Sequence, residues 1–207
     1  MSKRIIITDL DGTLYFQIPV QICMCIELCI YYVIHFNRIM ELILLLKYRK
    51  QHNQDISLDL LDFASENKIS VEKMSHLIET WLINRPLKWI RIFKDYKLIK
   101  LLNTLKKDVK IVVYSDYPTE QKLQALNFVS DEEFFYDNKE IIFMKPNSQG
   151  LDYIIKKLKV KKEEILVIGD REDKDGLAAL KCGVDFIILS KNPIFRFFQI
   201  KKIKITV

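Results

Sequence analysis

Apolar residues follow two rhythms along this chain. Up to about residue 106 they recur three and four apart, or run on unbroken, after one short opening strand. Beyond residue 108, short β-branched runs alternate with helical stretches. The opening run, Ile5-Ile6-Ile7, predicts a buried strand. Residues 18–36 follow, apolar nearly all round, with Glu27 as their one formal charge. Pro19 suits a first helical turn, where its missing N–H costs nothing. The pattern predicts one helix from about Pro19 and a second ending near Lys50. Length alone would let residues 18–36 cross a membrane, but Gln21, Glu27 and His35 argue against lipid on all sides. The expectation is burial between a small helical domain and the core, with contact to a membrane surface through residues 18–46 as the alternative. His35 belongs at the polar edge.

Residues 51–56 are polar and read as a loop. Residues 58–67 read as a short helix with Leu58, Leu61 and Phe63 inward. Ser70 is placed to cap a helix over 71–84, where Met74, Leu77, Ile78 and Trp81 recur at helical spacing. Arg85-Pro86-Leu87 predicts a break. A helix over about 88–106 then buries Ile92, Tyr96, Ile99, Leu102 and Leu105.

Strands are expected at 109–114, 140–143, 165–168 and 186–189, and helices at 119–126, 149–158 and 177–181, the last ended by Gly183. Such alternation implies a parallel sheet in a three-layer α/β domain. Ligands of such sheets bind beyond the carboxyl ends of the strands. Asp9, Asp11, Ser115, Lys145, Asp170 and Asp175 all fall at such ends. The tail from 192 to 207, basic and aromatic, is read as finishing the sheet or docking a partner.

Composition narrows the partners. At 207 residues, 49% hydrophobic with five glycines, the chain has material for one core and a smaller insert. A net charge of +6 suits phosphates or an acidic membrane surface, yet the lysines are dispersed, so no nucleic-acid partner is expected. Cys23, Cys25, Cys29 and Cys182 lack a histidine completing a zinc pattern and read as small buried thiols in a reducing cytosol. No secretory signal opens the sequence, and a cytoplasmic location is expected.

The candidate chemistry centres on Asp9-Leu10-Asp11-Gly12-Thr13. Two carboxylates one residue apart at a strand end can converge on a cation or divide nucleophile and acid roles. Gly12 lets the backbone turn and approach a ligand. Were a phosphate monoester to enter this rim, Mg²⁺ would suit a nest of carboxylate and phosphate oxygens. Asp9 would be ligand and nucleophile, and Asp11 would serve as acid, then base. Ser115 would hydrogen-bond the phosphoryl oxygens, Lys145 would neutralise them, and Asp170 would hold the metal. Asp175 would ligate or orient a metal water, a role for which Asp173 competes.

DLDGT at 9–13, the strand-borne Ser115, Lys145-Pro146 and GDREDKD at 169–175 together resemble the four motifs of the haloacid dehalogenase-like superfamily. The run Ser115-Asp116-Tyr117-Pro118 with Lys122, plus the Gly-Asp-Arg-Glu-Asp form, looks like a subset of that superfamily without an assigned substrate. The resemblance implies a Rossmann-like core at 1–15 and 93–207 with an all-helical cap inserted at 16–92. It implies Asp9 as nucleophile and Asp11 as acid/base. It implies metal contacts from Asp9, the Asp11 main-chain carbonyl and Asp170, and phosphate contacts from Gly12, Ser115 and Lys145. The expected activity is a Mg²⁺-dependent phosphomonoesterase acting through an aspartyl-phosphate on a small phosphorylated metabolite. The alternatives are a phosphotransferase or mutase using the same intermediate, and a binding protein on this fold. The second acid, Asp11, favours a phosphatase over a dehalogenase.

Overall fold

A computed structural model describes residues 3–54, 59–137 and 139–206. Strand β1 (Ile5–Thr8) opens the chain, and the chain divides into two compact units. One comprises Met1–Gln17 with Phe93–Val207, and the other is Ile18–Ile92.

The second unit is helical. Helix α1 (Gln17–Ile34) starts at its edge and buries Val20, Met24 and Tyr32. Glu27 is held inside the unit, accepting from Trp89 Nε1 at 3.1 Å and pairing with Lys88 and with Arg85 at 3.6 Å. The expected all-round burial of this helix does not occur. Ile18, Ile22, Ile26 and Ile30 are exposed, as are Cys25 and Cys29. Val20, Met24 and Tyr32 turn one face of α1 inward, and among the described residues its other side stays exposed. Helix α2 (Ile39–Gln54) runs four residues beyond the expected end at Lys50 and buries Leu45 and Tyr48. Its buried Glu41 pairs with Arg38 at 3.1 Å and Lys73 at 3.2 Å.

In α3 (Leu60–Glu66), capped by Asp59, Phe63 and Ala64 turn inward. Leu61 does not, at 61% exposed, because Phe63, two positions on, takes the inner face of this short helix. Leu58 and residues 55–56 lie outside the described residues. Ser70 caps α4 (Val71–Ile78), its Oγ accepting from the Lys73 N–H at 3.2 Å. Pro86 does not break the chain's helical course. A π-helical segment, Glu79–Asn84, leads directly into α5 (Arg85–Ile92). The Arg85 N–H reaches back five residues to the Thr80 carbonyl, and this wider turn makes room for the proline ring. Arg85 lies over the Trp81 ring at 4.0 Å, fixed within the unit.

The first unit is a five-stranded sheet. Its strands are β1, β2 (Lys110–Ser115), β3 (Glu132–Phe135), β4 (Ile165–Gly169) and β5 (Asp185–Ile188), in spatial order β3-β2-β1-β4-β5. Every pairing is parallel. Strands β1 and β4 are buried throughout and β2 almost so, as expected where helices cover both faces. The expected strand at 140–143 is absent. Its place at the edge is taken by β3, whose Glu-Glu-Phe-Phe sequence buries only Phe134. An edge strand needs one inward side chain, so it lacks the apolar run that marks a central strand.

Five helices cover the sheet: α6 (Tyr96–Leu105), α7 (Glu120–Leu126), α8 (Gln149–Leu158), α9 (Leu177–Cys182) and α10 (Pro193–Thr206). The single helix expected over 88–106 is two, α5 and α6. Asp95 interrupts it, accepting from the Lys97 and Leu98 N–H groups as the cap of α6. That restart shifts the phase: Leu98, Ile99 and Leu102 are buried while Ile92 and Tyr96 are exposed. The tail forms α10, packed on α6, rather than a further strand. On one side of the sheet, Ile5, Ile7, Val112 and Val167 share a core with Leu151 and Ile154 of α8 and Ala178 and Ala179 of α9. Ile6 alternates to the opposite face and is fully buried.

Candidate active site

Strand register brings the candidate groups to one rim. Thr8 lies opposite Val113 of β2 and Ile168 of β4. Asp9 therefore leaves the sheet level with the strand ends that carry Ser115 and Asp170. From β1 the chain proceeds outward to β2 and β3, then returns to β4 on the other flank. Asp9 and Asp170 thus stand at the topological switch point, where such sheets open a crevice.

Asp9 is anchored by its backbone N–H to the Ile168 carbonyl at 2.8 Å. Its carboxylate accepts Thr13 Oγ1 at 3.0 Å on one oxygen and Lys145 Nζ at 2.5 Å on the other. The same ammonium donates to Asp175 Oδ1 at 2.6 Å and to the Tyr114 carbonyl at 3.3 Å. Lys145 and Asp175 are almost wholly enclosed, their side chains 4% and 3% exposed. Asp116 secures this lysine from behind, accepting its backbone N–H at 3.0 Å and Lys174 Nζ at 2.7 Å. Asp175, not Asp173, joins the group. Asp173 turns outward onto the Arg171 guanidinium.

One carboxylate oxygen from each of Asp9, Asp170 and Asp175 lies within 4.8 Å of the others. Burial pushes Asp9 up to about 7; Lys145 opposes that rise, and Asp175 adds to it. Burial likewise raises Asp170 to about 6, helped by the charge of Asp175. Burial alone would depress Lys145, but Asp9 and Asp175 outweigh it and hold the ammonium well above its usual range. Three acids thus face one internal cation. Asp170 Oδ1 is buried without a hydrogen-bond partner among the described residues. An orphaned oxygen beside two further carboxylates fits a hard divalent cation such as Mg²⁺.

The carboxylate of Asp11 is not part of this trio. Both its oxygens accept Lys122 Nζ at 2.7 Å, and Oδ1 also accepts the Tyr15 hydroxyl at 2.5 Å. Burial and the Asp11 charge keep that hydroxyl protonated far above its ordinary range. Ser115 is buried at the end of β2, where its Oγ accepts the Tyr117 N–H at 3.2 Å. Gly12 adopts a φ of +91°, and a Cβ there would stand 2.3 Å from Asp170 Oδ2. Saturating Mg²⁺ is expected to raise the unfolding midpoint, adding about 2.7 kcal/mol of stability at a hundredfold excess over Kd. In Gly12→Ala the displaced Asp170 should remove most of that increment, read by thermal melts with and without Mg²⁺.

Several partners lay beyond reading from sequence. Lys122, marked in sequence only through the run that starts at Ser115, sits on α7, and its pairing with Asp11, 111 residues away, carries no signal in spacing. Arg196 of α10 is buried, pairing with Asp95 at 2.6 Å and donating to the Gly12 carbonyl at 3.4 Å and to that of Thr13. In a basic tail, sequence does not tell a buried cation from the solvated ones. Only the packing of α10 on α6 selects it.

A family model for haloacid dehalogenase-like hydrolases matches residues 3–183. No curated protein sequence gives a match. Among solved structures, the chain is similar to a 2-haloacid dehalogenase from Pseudomonas syringae pv. Tomato DC3000. The identity is 14% over 90% of this chain and 86% of that one, with a TM-score of 0.63. It is similar to a HAD-hydrolase-type protein from Bacillus subtilis solved bound to magnesium, at 14% identity over 91% and 89%, TM-score 0.58. It is also similar to a phosphoglycolate-phosphatase-like protein from Lactobacillus plantarum, at 16% identity over 90% and 86%, TM-score 0.55. At such identities these likenesses speak for the shared fold, and the family model spans most of the sequence. A parallel sheet whose switch point carries Asp9, Lys145, Asp170 and Asp175 agrees with both, and the chain belongs to the haloacid dehalogenase-like hydrolases.

Proposed function

We propose that the protein is a Mg²⁺-dependent phosphomonoesterase acting on a small phosphorylated metabolite through an aspartyl-phosphate. The observation that carries this reading is the division of labour between two neighbouring carboxylates. Asp9 belongs to the acidic trio, and Asp11 is held apart by Lys122 and Tyr15. A dehalogenase needs the first acid alone, whereas phosphoryl transfer to an alcohol oxygen also needs a proton donor.

Asp9, Asp170 and Asp175 would hold Mg²⁺. The bound ion supplies charge neutralisation for the phosphoryl oxygens. An oxygen of Asp9 attacks phosphorus, and the bond from phosphorus to the leaving alkoxide breaks. Asp11 gives that alkoxide its proton. Water then attacks the phosphorus of the aspartyl-phosphate, Asp11 takes the water proton, and inorganic phosphate leaves with Asp9 restored. Lys145, held between Asp9 and Asp175, offsets charge at the reacting group, and Ser115 would turn its hydroxyl to a phosphoryl oxygen. Gly12 lets the phosphate approach the backbone. The inserted helical unit, Ile18–Ile92, is the substrate-selecting cap in this reading.

The purified protein should release inorganic phosphate from an aryl phosphate with Mg²⁺, and EDTA should stop it. Silence across a broad panel of phosphate monoesters would point instead to a binding protein. Transfer of the phosphoryl group to an added sugar alcohol, in place of free phosphate, would mark a phosphotransferase.

A further inference from the structure

We infer that the outer face of α1 is a docking surface for an anionic lipid bilayer, on which the protein sits without crossing it. The face is built from two adjoining rows of residues four apart. One row is Ile18, Ile22, Ile26, Ile30 and Ile34, and all five are exposed. The other is Gln21, Cys25, Cys29 and Val33, also exposed. Gln21 is the one polar side chain in either row, and no charge interrupts about 24 Å of helix.

The opposite face explains why α1 rests on a membrane rather than spans one. Val20, Met24 and Tyr32 are buried in the helical unit, and Glu27 is tied there by Trp89, Lys88 and Arg85. Surrounding α1 with lipid would strip these contacts and leave a carboxylate in hydrocarbon.

Charge selects the occupant. Among the described residues of 17–54, the acids are Glu27 and Glu41, and neither is exposed. Arg38, Lys47, Arg49 and Lys50 are exposed. An apolar stripe on a segment whose exposed charges, among the described residues, are all cationic matches a surface of acyl chains beneath anionic headgroups. A second copy of the chain fits less well. A stripe of about 24 by 10 Å covers about 240 Å², against about 800 Å² per partner in a stable interface.

Flotation with phosphatidylcholine vesicles, with and without phosphatidylglycerol, tests this and needs no turnover, so it stands or falls apart from the phosphatase reading. The wild-type protein should float with the anionic vesicles and much less with the neutral ones. The Ile22→Glu, Ile26→Glu double variant should bind at least about tenfold more weakly, with an unchanged circular dichroism spectrum and unchanged aryl phosphate turnover. If that variant misfolds, Ile26→Gln, Ile30→Gln serves the same purpose. Wild-type protein that stays with the unbound fraction, or variants that float as well as wild type, would overturn the proposal. So would a wild-type dimer in sedimentation velocity that the variant dissociates while neither protein binds vesicles.

Discussion

Asp9→Asn should lower aryl phosphate turnover on the order of 10⁴-fold or more, as loss of a covalent nucleophile does elsewhere. The change is small in every other respect. Asparagine keeps the volume of the side chain, retains one oxygen for Lys145, turns its amide to the Thr13 hydroxyl, which can accept in place of donating, and leaves the Asp9 N–H bond to Ile168 untouched. Burial that lifts the aspartate to about 7 also means that a neutral amide is easily housed there. The fold should therefore survive, with an unchanged circular dichroism spectrum beside the lost activity. Asp11→Asn should behave differently. It leaves the nucleophile and the acidic trio intact and removes only proton transfer, so a loss of about 10²–10⁴-fold is expected. Acid quench of the Asp11 variant with a radiolabelled phosphate donor should trap label on protein, and Asp9→Asn should trap none. Residual turnover in Asp9→Asn equal to wild type would sink the covalent mechanism.

Arg196→Met should cost about 3–5 kcal/mol of stability, as breaking a buried pair from one side does. The guanidinium satisfies Asp95 and the backbone oxygens of Gly12 and Thr13, all within the α/β unit. Methionine fills much of the space and supplies no donor. Asp95 then stays buried beside α6 as an uncompensated charge, and two carbonyls of the Asp9–Thr13 loop lose their partner. Urea unfolding monitored by circular dichroism would read the loss as a lower midpoint. Adding Asp95→Asn should recover part of it, since asparagine still caps α6 and no charge is stranded. A single variant that unfolds at the wild-type midpoint would show that this pair contributes little.

The candidate site was legible where chemistry is local. Asp9, Asp11 and Gly12 follow directly on an apolar run, and Lys145, Asp170 and Asp175 each follow a strand or strand-like segment, so their residue types and spacing mark them. The choice between Asp173 and Asp175 was not legible. Both lie in one short acidic run, and only the π-helical turn Glu172–Gly176 decides which faces in. Strand β3 escaped notice because an edge strand buries a single residue, Phe134. The break at Asp95 was hidden because apolar residues recur at close spacing on both sides of it, and only the Asp95 cap resets which of them turn inward.

By itself, the order of residues determined the parallel α/β architecture, the inserted helices and the acidic rim. Buried strands, helix periods and strand-end carboxylates each write themselves into a few consecutive positions. Tertiary structure alone decided which cation meets which acid: Lys145 between Asp9 and Asp175, Lys122 on Asp11, Arg196 on Asp95. It also decided that the apolar α1 keeps one face bare. The physical reason is range. Hydrophobic periodicity is a property of neighbours in sequence, whereas an ion pair or an uncovered face depends on what chain folding brings near from a hundred residues away.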